Sequence, residues 1–253
     1  MTNPIIVGAE PWSHDGDDAH GAVVVHGFTG NPSSMRGVAD ALAAAGFHIE
    51  LPRLPGHGTV VDDMLPTRWA DWAGEAEAAY QRLQQRASHV VVVGLSMGGA
   101  LTLRLGADHP EIAGLVCINP VAQPQLPEVI EMLRGMADSG MAVLPGIGSD
   151  IADPEAKEIA YEGTPITPLV SMLVDGIEPL SHEYAGMRVP LLLMNSPLDH
   201  VVEPVHSDFL AAQYGGPVER ITLERSYHVA TQDYDKQIIF ESTVAFATRA
   251  ISR

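Results

Sequence analysis

The chain has a single cysteine, Cys117, so no disulfide can form within its 253 residues. Cys117 lies inside the apolar run 114–118, where a cysteine behaves as a small buried hydrophobe and is poorly placed to act as a nucleophile. Neither His26 nor His57 has a histidine or cysteine partner at metal-ligand spacing. We therefore interpret both histidines as parts of loops and expect no metal and no cofactor.

Basic residues are also scarce. The chain has only 14 lysines and arginines but 32 aspartates and glutamates, which gives a formal net charge of −18. A charge of this sign repels nucleic-acid phosphates and anionic membranes, so a nucleic-acid partner is not expected. No apolar run approaches the roughly 20 residues that span a bilayer, and no basic segment followed by an apolar one opens the chain. We therefore expect a cytoplasmic protein without an integral membrane segment.

What the sequence does contain is an alternation of short apolar runs with longer helical patterns. Runs that are apolar at every position are typical of parallel strands buried on both faces. The predicted strands cover residues 22–25, 47–51, 89–93, 115–118, 191–194 and 221–223. The predicted helices cover residues 33–45, 69–86 and 97–108, and a last one follows residue 233. This order indicates an α/β protein with a doubly wound, mostly parallel sheet flanked by helices.

The alternation stops after Pro120 and resumes at Val189. Because a compact domain rarely leaves so long a segment without structure, residues 121–188 are interpreted as a helical cap inserted into one domain that covers residues 1–253. An apolar stripe along residues 126–137 predicts one cap helix, and Thr167-Pro168 predicts the start of another.

Gly94-Leu95-Ser96-Met97-Gly98 follows a predicted strand and opens a predicted helix. A glycine–serine pattern of this length arises by chance in many chains, but the strand-turn-helix context is what a nucleophile elbow requires. Glycines two residues before and after the serine are needed there because a Cβ would clash in so tight a turn. The pattern identifies Ser96 as a candidate nucleophile.

A serine hydroxyl needs a base and an orienting carboxylate, which in such a chain follow in the order acid, then histidine. His228 comes after a late predicted strand, and Asp199 follows the strand at 191–194. Asp175 is the rival acid, but it lies in the predicted cap. His200 and His206 are interpreted as surface loop residues.

Two backbone N–H groups must also face the negative charge that develops on the substrate. Met97 follows the serine and begins a helix, whose dipole favours negative charge. Phe28 follows the first predicted buried strand through His26-Gly27. The amides of Phe28 and Met97 are therefore the candidate oxyanion hole, although the Phe28 ring could equally be a core aromatic.

Several further segments carry a family resemblance. These are His26-Gly27-Phe28-Thr29-Gly30, Gly56-His57-Gly58, the elbow with Gly99, Asp199-His200-Val201-Val202, Ser226 to Thr231, and the cap segment Gly148 to Pro165. With them the chain resembles bacterial monoacylglycerol lipases and the related carboxylesterases over nearly its whole length. The resemblance implies the α/β-hydrolase fold and a reaction that releases fatty acid and glycerol through an acyl-enzyme on Ser96.

The resemblance also implies two substrate-binding residues in the cap. Glu158 would accept a hydrogen bond from a glycerol hydroxyl, and Ile147 would line the acyl tunnel. The residues by themselves leave another interpretation open, in which Glu155, Glu158 and Glu162 form the solvated face of a helix.

Other functions remain compatible with the sequence. A lactonase, an acyltransferase or a perhydrolase would use the same three residues and differ only in the nucleophile that resolves the acyl-enzyme. A general carboxylesterase for short or medium acyl chains would use the same residues, and a non-catalytic module would hold an apolar molecule in the same fold without turnover. In each enzymatic alternative the expected partner is a small-molecule ester. The sequence leaves the oligomeric state open.

Overall fold

A computed structural model describes residues 3–17, 19–146 and 148–252. In chain order the strands are β1 (Trp12–His14), β2 (His20–Val25), β3 (His48–Leu51), β4 (His89–Leu95), β5 (Gly114–Ile118), β6 (Val143–Pro145), β7 (Gly163–Pro165), β8 (Leu191–Asn195) and β9 (Val218–Thr222). The α-helices are α1 (Arg36–Ala44), α2 (Val61–Met64), α3 (Trp69–Gln84), α4 (Met97–Asp108), α5 (Pro127–Asp138), α6 (Ile166–Ser171), α7 (Glu178–Ser181), α8 (Val205–Gln213) and α9 (Lys236–Ile251).

The main sheet has seven strands in the order β1-β3-β2-β4-β5-β8-β9. All neighbouring pairs are parallel except β1 and β3, which are antiparallel. The predicted α/β fold with a mostly parallel sheet is confirmed.

Successive residues of the central strands face opposite sides of the sheet, and both sides are buried. One row across β2, β4, β5 and β8 is formed by Val23, Val92, Leu115 and Leu191. This row packs in a core with α3 and α4. The next row, formed by Val24, Val93, Val116 and Leu192, packs in a second core with α1 and α9. Burial on both faces explains why these strands are apolar at every position.

The order of the strands creates a crevice at one edge of the sheet. From β2 the chain adds β3 on one side and then returns to add β4 on the other. The loops that leave β2 and β4 therefore diverge, and ligands of open α/β sheets bind at such a point, outside the carboxyl ends of the strands. Gly27 and Phe28 follow β2, and Ser96 follows β4.

The segment between β5 and β8 contains α5, the hairpin of β6 and β7, and a helical run from α6 to α7. Between α6 and α7, residues Met172–Ile177 form a π-helix, which widens the turn within that run. The sequence pattern predicts the two helical regions but neither the hairpin nor the π-helix. It also misses β1, a three-residue strand at the edge of the sheet whose sequence carries no apolar periodicity.

Within the part of the chain that the structure describes, no helix is long and apolar enough to cross a membrane.

Substitution of Leu193 tests the packing of the core beneath the carboxyl ends of the strands. Leu193 is fully buried in the centre of β8, so Leu193→Ala should lower the free energy of unfolding by about 2–5 kcal/mol, from lost burial and the cavity left behind. The matched control is Leu198→Ala, because Leu198 is 49% exposed in a loop and its loss should change stability by less than about 0.5 kcal/mol. Denaturant unfolding measures both. Equal effects would contradict the assigned packing.

Candidate active site

Ser96 lies at the sharp turn between β4 and α4. Its backbone has φ 58° and ψ −119°, a conformation that costs free energy in any residue with a side chain. The turn is held by surrounding structure, since the Ser96 N–H donates to the Ile118 carbonyl of β5 and the Ser96 carbonyl accepts from Gly99 and Val121. The strain therefore persists because both neighbouring strand ends constrain the serine.

The glycines around Ser96 are required by close backbone approach. A Cβ on Gly94 would lie 2.0 Å from the Gly98 carbonyl oxygen, and a Cβ on Gly98 would lie 2.2 Å from the Val25 carbonyl oxygen. A Cβ on Gly27 would meet the Ser96 Cβ at 3.1 Å and Oγ at 3.6 Å. The loop after β2 thus passes directly beside the serine.

His228 and Asp199 lie close together at the same edge. His228 Nδ1 donates to Asp199 Oδ2 at 2.7 Å, and both side chains are buried. The other Asp199 oxygen accepts from the N–H groups of Val201 and Val202, at 2.8 Å each. With its proton on Nδ1, His228 keeps an unprotonated Nε2 that can act as a base. Asp175, the rival acid, instead accepts a hydrogen bond from Ser171 on its own helical run.

Ser96 and His228 both line one cavity. Among the hydrogen bonds of the described residues, none joins Ser96 Oγ to His228, and such contacts often tighten only when substrate is bound.

Asn119 is a further residue of this site that the sequence does not indicate. It follows β5 with φ 43°, a backbone conformation that asparagine tolerates better than most residues. Its Nδ2 donates to the His228 carbonyl at 2.8 Å, and its Oδ1 accepts from the Ser196 N–H at 2.7 Å. Residues 223–235, between β9 and α9, carry His228 and are called the histidine loop. Asn119 therefore connects the histidine loop to the ends of β5 and β8. The only sequence signal is an asparagine directly after a buried strand.

Met97 follows Ser96 in the chain, and Phe28 follows Gly27, which lies against Ser96. Met97 is the first residue of α4, so its N–H has no partner within the helix. In residues 3–17, 19–146 and 148–252, neither the Phe28 N–H nor the Met97 N–H is bonded to a protein acceptor. Both amides are therefore free to donate to an oxygen bound at Ser96. The Phe28 ring packs edge-on against Trp72. The ring is therefore a core aromatic, which was the other interpretation of Phe28 that the sequence left open.

His26 supports the loop that carries Phe28. Its Nε2 accepts from the Leu54 N–H, which leaves the proton on Nδ1 to donate to the Gly27 carbonyl at 3.0 Å. Burial lowers the pKa of His26 well below its ordinary value, and the neighbouring His57 adds to this shift. Burial also lowers the pKa of His57 to about 4. Both rings are thus neutral structural groups at neutral pH.

The cavity above Ser96 has a volume of about 400 Å³ and is lined largely by apolar side chains. Residues of the segment between β5 and β8 form much of this wall: Val121, Val129, Leu133, Leu169, Met172 and Leu173. A wall of this kind suits an alkyl chain.

Glu158 also lines the cavity. Burial raises the pKa of its carboxyl to about 7; nearby His228 opposes the shift and Asp150 adds to it. Glu155 and Glu162 are exposed, and the segment they share with Glu158 is not helical, so the interpretation of one solvated helix face is wrong. Ile147, expected in the acyl tunnel, lies outside the described residues, and its role stays a prediction.

His206 corrects one expectation. The sequence places it on a surface loop, whereas it lies on α8, is only 8% exposed and lines the cavity. Its Nδ1 accepts from the N–H groups of Ala122 and Gln123, and burial lowers its pKa. His200, by contrast, has an exposed side chain, as expected. The sequence pattern does not predict α8, so no sequence signal indicates that the histidine in its first turn is buried.

Comparison with known proteins places these features in a family. Residues 22–239 match the model of the alpha/beta hydrolase family. The chain is 40% identical over 246 residues to a thermostable monoacylglycerol lipase of Bacillus sp. (strain H-257), covering 96% of each chain. It is 24% identical to a carboxylesterase of Bacillus subtilis (strain 168), covering 95% of this chain and 97% of the relative.

A solved structure is also similar over nearly the full length of this chain. It was reported for LipS and LipT, two metagenome-derived lipolytic enzymes, and superposes with a TM-score of 0.91 at 37% sequence identity. The match covers 97% of this chain and 100% of that one.

Gly98→Ala tests the elbow. Because the added Cβ would press against a backbone oxygen, no side-chain rotation relieves the clash, and the start of α4 must move. We expect labelling of Ser96 by a fluorophosphonate to slow by about tenfold or more, and thermal stability to fall. Gly74→Ala in α3 is the matched control, since a Cβ there has open space and should stabilise the helix by about 0.5–1 kcal/mol without slowing the labelling. Labelling of Gly98→Ala at the wild-type rate would contradict the steric argument.

Proposed function

We infer that this chain, which belongs to the alpha/beta hydrolase family and is a carboxylic ester hydrolase, works through an acyl-enzyme on Ser96. The observation that carries this inference is the pairing of His228 with Asp199 beside a serine held in a strained turn. Ser96 follows β4, Asp199 follows β8 and His228 lies in the loop between β9 and α9; Ser96 and His228 line one cavity, and Asp199 is bonded to the His228 ring.

In the first half of the reaction, His228 Nε2 takes the proton of Ser96 Oγ as the oxygen attacks the ester carbonyl carbon. The carbonyl electron pair moves onto the carbonyl oxygen, which accepts hydrogen bonds from the Phe28 and Met97 amides. The dipole of α4 favours the same negative charge, since Met97 begins that helix. Asp199 holds the His228 ring and stabilises its positive charge.

The oxyanion then returns its electron pair, and the bond from the carbonyl carbon to the alcohol oxygen breaks. His228 gives its proton to the departing alcohol oxygen. In the second half, His228 takes a proton from water as the water oxygen attacks the acyl-enzyme. Collapse of that intermediate breaks the bond to Ser96 Oγ, which regains its proton from His228, and the fatty acid leaves.

We propose that the substrate is a monoacylglycerol. The apolar wall of the cavity suits the acyl chain, and Glu158 supplies a half-buried carboxyl in the cavity lining for a glycerol hydroxyl. With a pKa near 7, this carboxyl can accept a hydrogen bond in its charged form. The similarity to a monoacylglycerol lipase supports the same substrate.

A general carboxylesterase is the second candidate, because a relative with that activity also matches nearly the whole chain. The segment 121–188 serves as the cap over the site in either case. A cytoplasmic location and the lack of a nucleic-acid partner stay predictions from the sequence.

Ser96→Ala tests the nucleophile. Without Oγ no acyl-enzyme can form, so kcat on an activated ester should fall by about 10⁴- to 10⁶-fold, and a fluorophosphonate should no longer label the protein. Ser88→Ala is the control, because Ser88 is exposed in a turn remote from the cavity. Turnover that survives Ser96→Ala would overturn the mechanism. A wild-type protein that neither turns over esters nor accepts the label would instead favour the non-catalytic module.

Glu158→Leu tests the substrate. In buffer above about pH 8, where a carboxyl with a pKa of about 7 is charged, loss of the hydroxyl contact should raise KM for a monoacylglycerol by about tenfold or more, since hydrogen bonds to charged groups contribute about 1.5–3 kcal/mol. KM for a p-nitrophenyl ester of the same fatty acid should stay close to the wild-type value. Glu155→Leu, an exposed position in the same segment, is the control. If wild type hydrolyses the simple ester as well as the monoacylglycerol, and Glu158→Leu affects both alike, the protein is a general carboxylesterase.

A further inference from the structure

The segment between β5 and β8 supplies a carboxylate that holds the backbone of the catalytic histidine. Asp150 is only 7% exposed, and its Oδ2 accepts from the His228 N–H at 3.0 Å and from the His200 N–H at 3.1 Å. Its Oδ1 pairs with His200 Nδ1 at 2.8 Å. The Asp150 carbonyl also accepts from the Val229 N–H at 3.1 Å. One residue of the cap thus contacts both the loop that carries His228 and the loop that follows Asp199.

The histidine loop returns the contact through Asp233, which is fully buried. Asp233 Oδ2 accepts from the Ala152 N–H at 2.7 Å and from the Tyr227 N–H at 2.9 Å, and Oδ1 accepts from the Asp153 N–H at 3.0 Å. The cap therefore gives a carboxylate to the histidine loop, and the histidine loop gives one to the cap. Because the side-chain oxygens of both residues are carboxylate acceptors, these bonds are stronger than the same number of neutral hydrogen bonds.

His228 is consequently held at three points. Its ring nitrogen is bonded to Asp199, its carbonyl to Asn119 and its N–H to Asp150. Asp199 and Asn119 follow strands of the core sheet, whereas Asp150 belongs to the inserted segment. A base must reach the proton that it removes within hydrogen-bond distance, and a displacement of about 1 Å can lower a rate by about 100-fold. Loss of the N–H contact removes one of the three points that hold His228.

We propose that Asp150 is a positioning residue for the base, so that the inserted segment completes the catalytic machinery as well as covering it. This proposal rests on the assignment of His228 as the base of Ser96. It deepens that assignment because it makes turnover of every ester depend on a cap residue, whether or not the substrate touches the cap.

Residues 150–161 of the cap, called the arm below, are bonded to the core at a second place. The Tyr161 N–H donates to the Thr29 carbonyl at 3.1 Å, and Tyr161 Oη donates to the Gly56 carbonyl at 2.7 Å. Residues 150–161 are thus fixed at both ends to loops of the catalytic edge. Asp150, Glu158, Ala160 and Tyr161 of the arm line the cavity, so the arm forms a fixed wall of the site.

The test compares Asp150→Ala with Asp150→Asn. An asparagine keeps the geometry of all three side-chain contacts, because its carbonyl oxygen can accept from both N–H groups and its amide can donate to His200 Nδ1. We expect Asp150→Ala to lower kcat on a short activated ester such as p-nitrophenyl acetate by about 10- to 100-fold. Labelling of Ser96 by a fluorophosphonate should slow by a similar factor. Asp150→Asn should restore both rates to within a few-fold of wild type.

Asp153→Ala is the matched control. Among the described residues, the Asp153 side chain bonds only to the Glu155 N–H of its own turn, and the substitution leaves the Asp153 N–H in place for Asp233. It should leave kcat and labelling unchanged. If Asp150→Ala does not fold, Asp150→Ser replaces it, since its shorter side chain cannot reach both N–H groups.

Three results overturn the proposal: wild-type rates in Asp150→Ala, equal losses in Asp150→Asn and Asp150→Ala, or an equal loss in Asp153→Ala. A cap that only binds substrate would change KM for long-chain monoacylglycerols and leave turnover of the short ester unaltered. Failure here differs from failure of the proposed function, because Ser96→Ala would still abolish turnover and labelling.

Discussion

The close contact between the start of α4 and the end of β2 is the constraint on which the site depends. Gly98 lies against the Val25 carbonyl with no room for a side chain, and Gly94 lies equally close to Gly98. This contact forces Ser96 into a left-handed backbone conformation and directs it above the sheet. It also brings the loop after β2 beside the serine, so that one steric requirement positions both Ser96, the proposed nucleophile, and the neighbouring loop that carries Phe28.

The remaining groups are aligned by hydrogen bonds rather than by sterics. Asp199 follows β8 and is itself held by two backbone N–H groups, which fix its orientation toward His228. Asn119 connects the ends of β5 and β8 to the histidine loop. The sheet therefore acts as a rigid frame whose strand ends each deliver one group. The long loop before α9, which carries His228, is the part that needs additional support.

The strands and the elbow could be predicted because both leave strong local patterns. A strand buried on both faces must be apolar at every position, and the tight turn at Ser96 admits glycine on either side. That Asp199 and His228 meet at one edge of the sheet could be predicted, because each follows a predicted strand. Asn119, Asp150 and His206 could not, because their roles depend on partners far away in the chain. A short edge strand such as β1, with three residues and mixed polarity, likewise leaves no periodic signal.

The exchange of carboxylates between Asp150 and Asp233 has a consequence for modular redesign. The inserted segment leaves the core after β5 and rejoins it at β8, and these two strands are neighbours in the sheet. This connection alone suggests that the segment could be exchanged for that of a relative. Here, however, the junction includes a third piece of chain, because residues 150–153 and 226–233 complete each other's hydrogen bonds. A chimera that imports residues 121–188 from another protein would bring a segment that does not match residues 226–233. The hydrogen bonds between the two segments would then lose partners. A transplant of the inserted segment therefore needs residues 226–233 to be transferred with it.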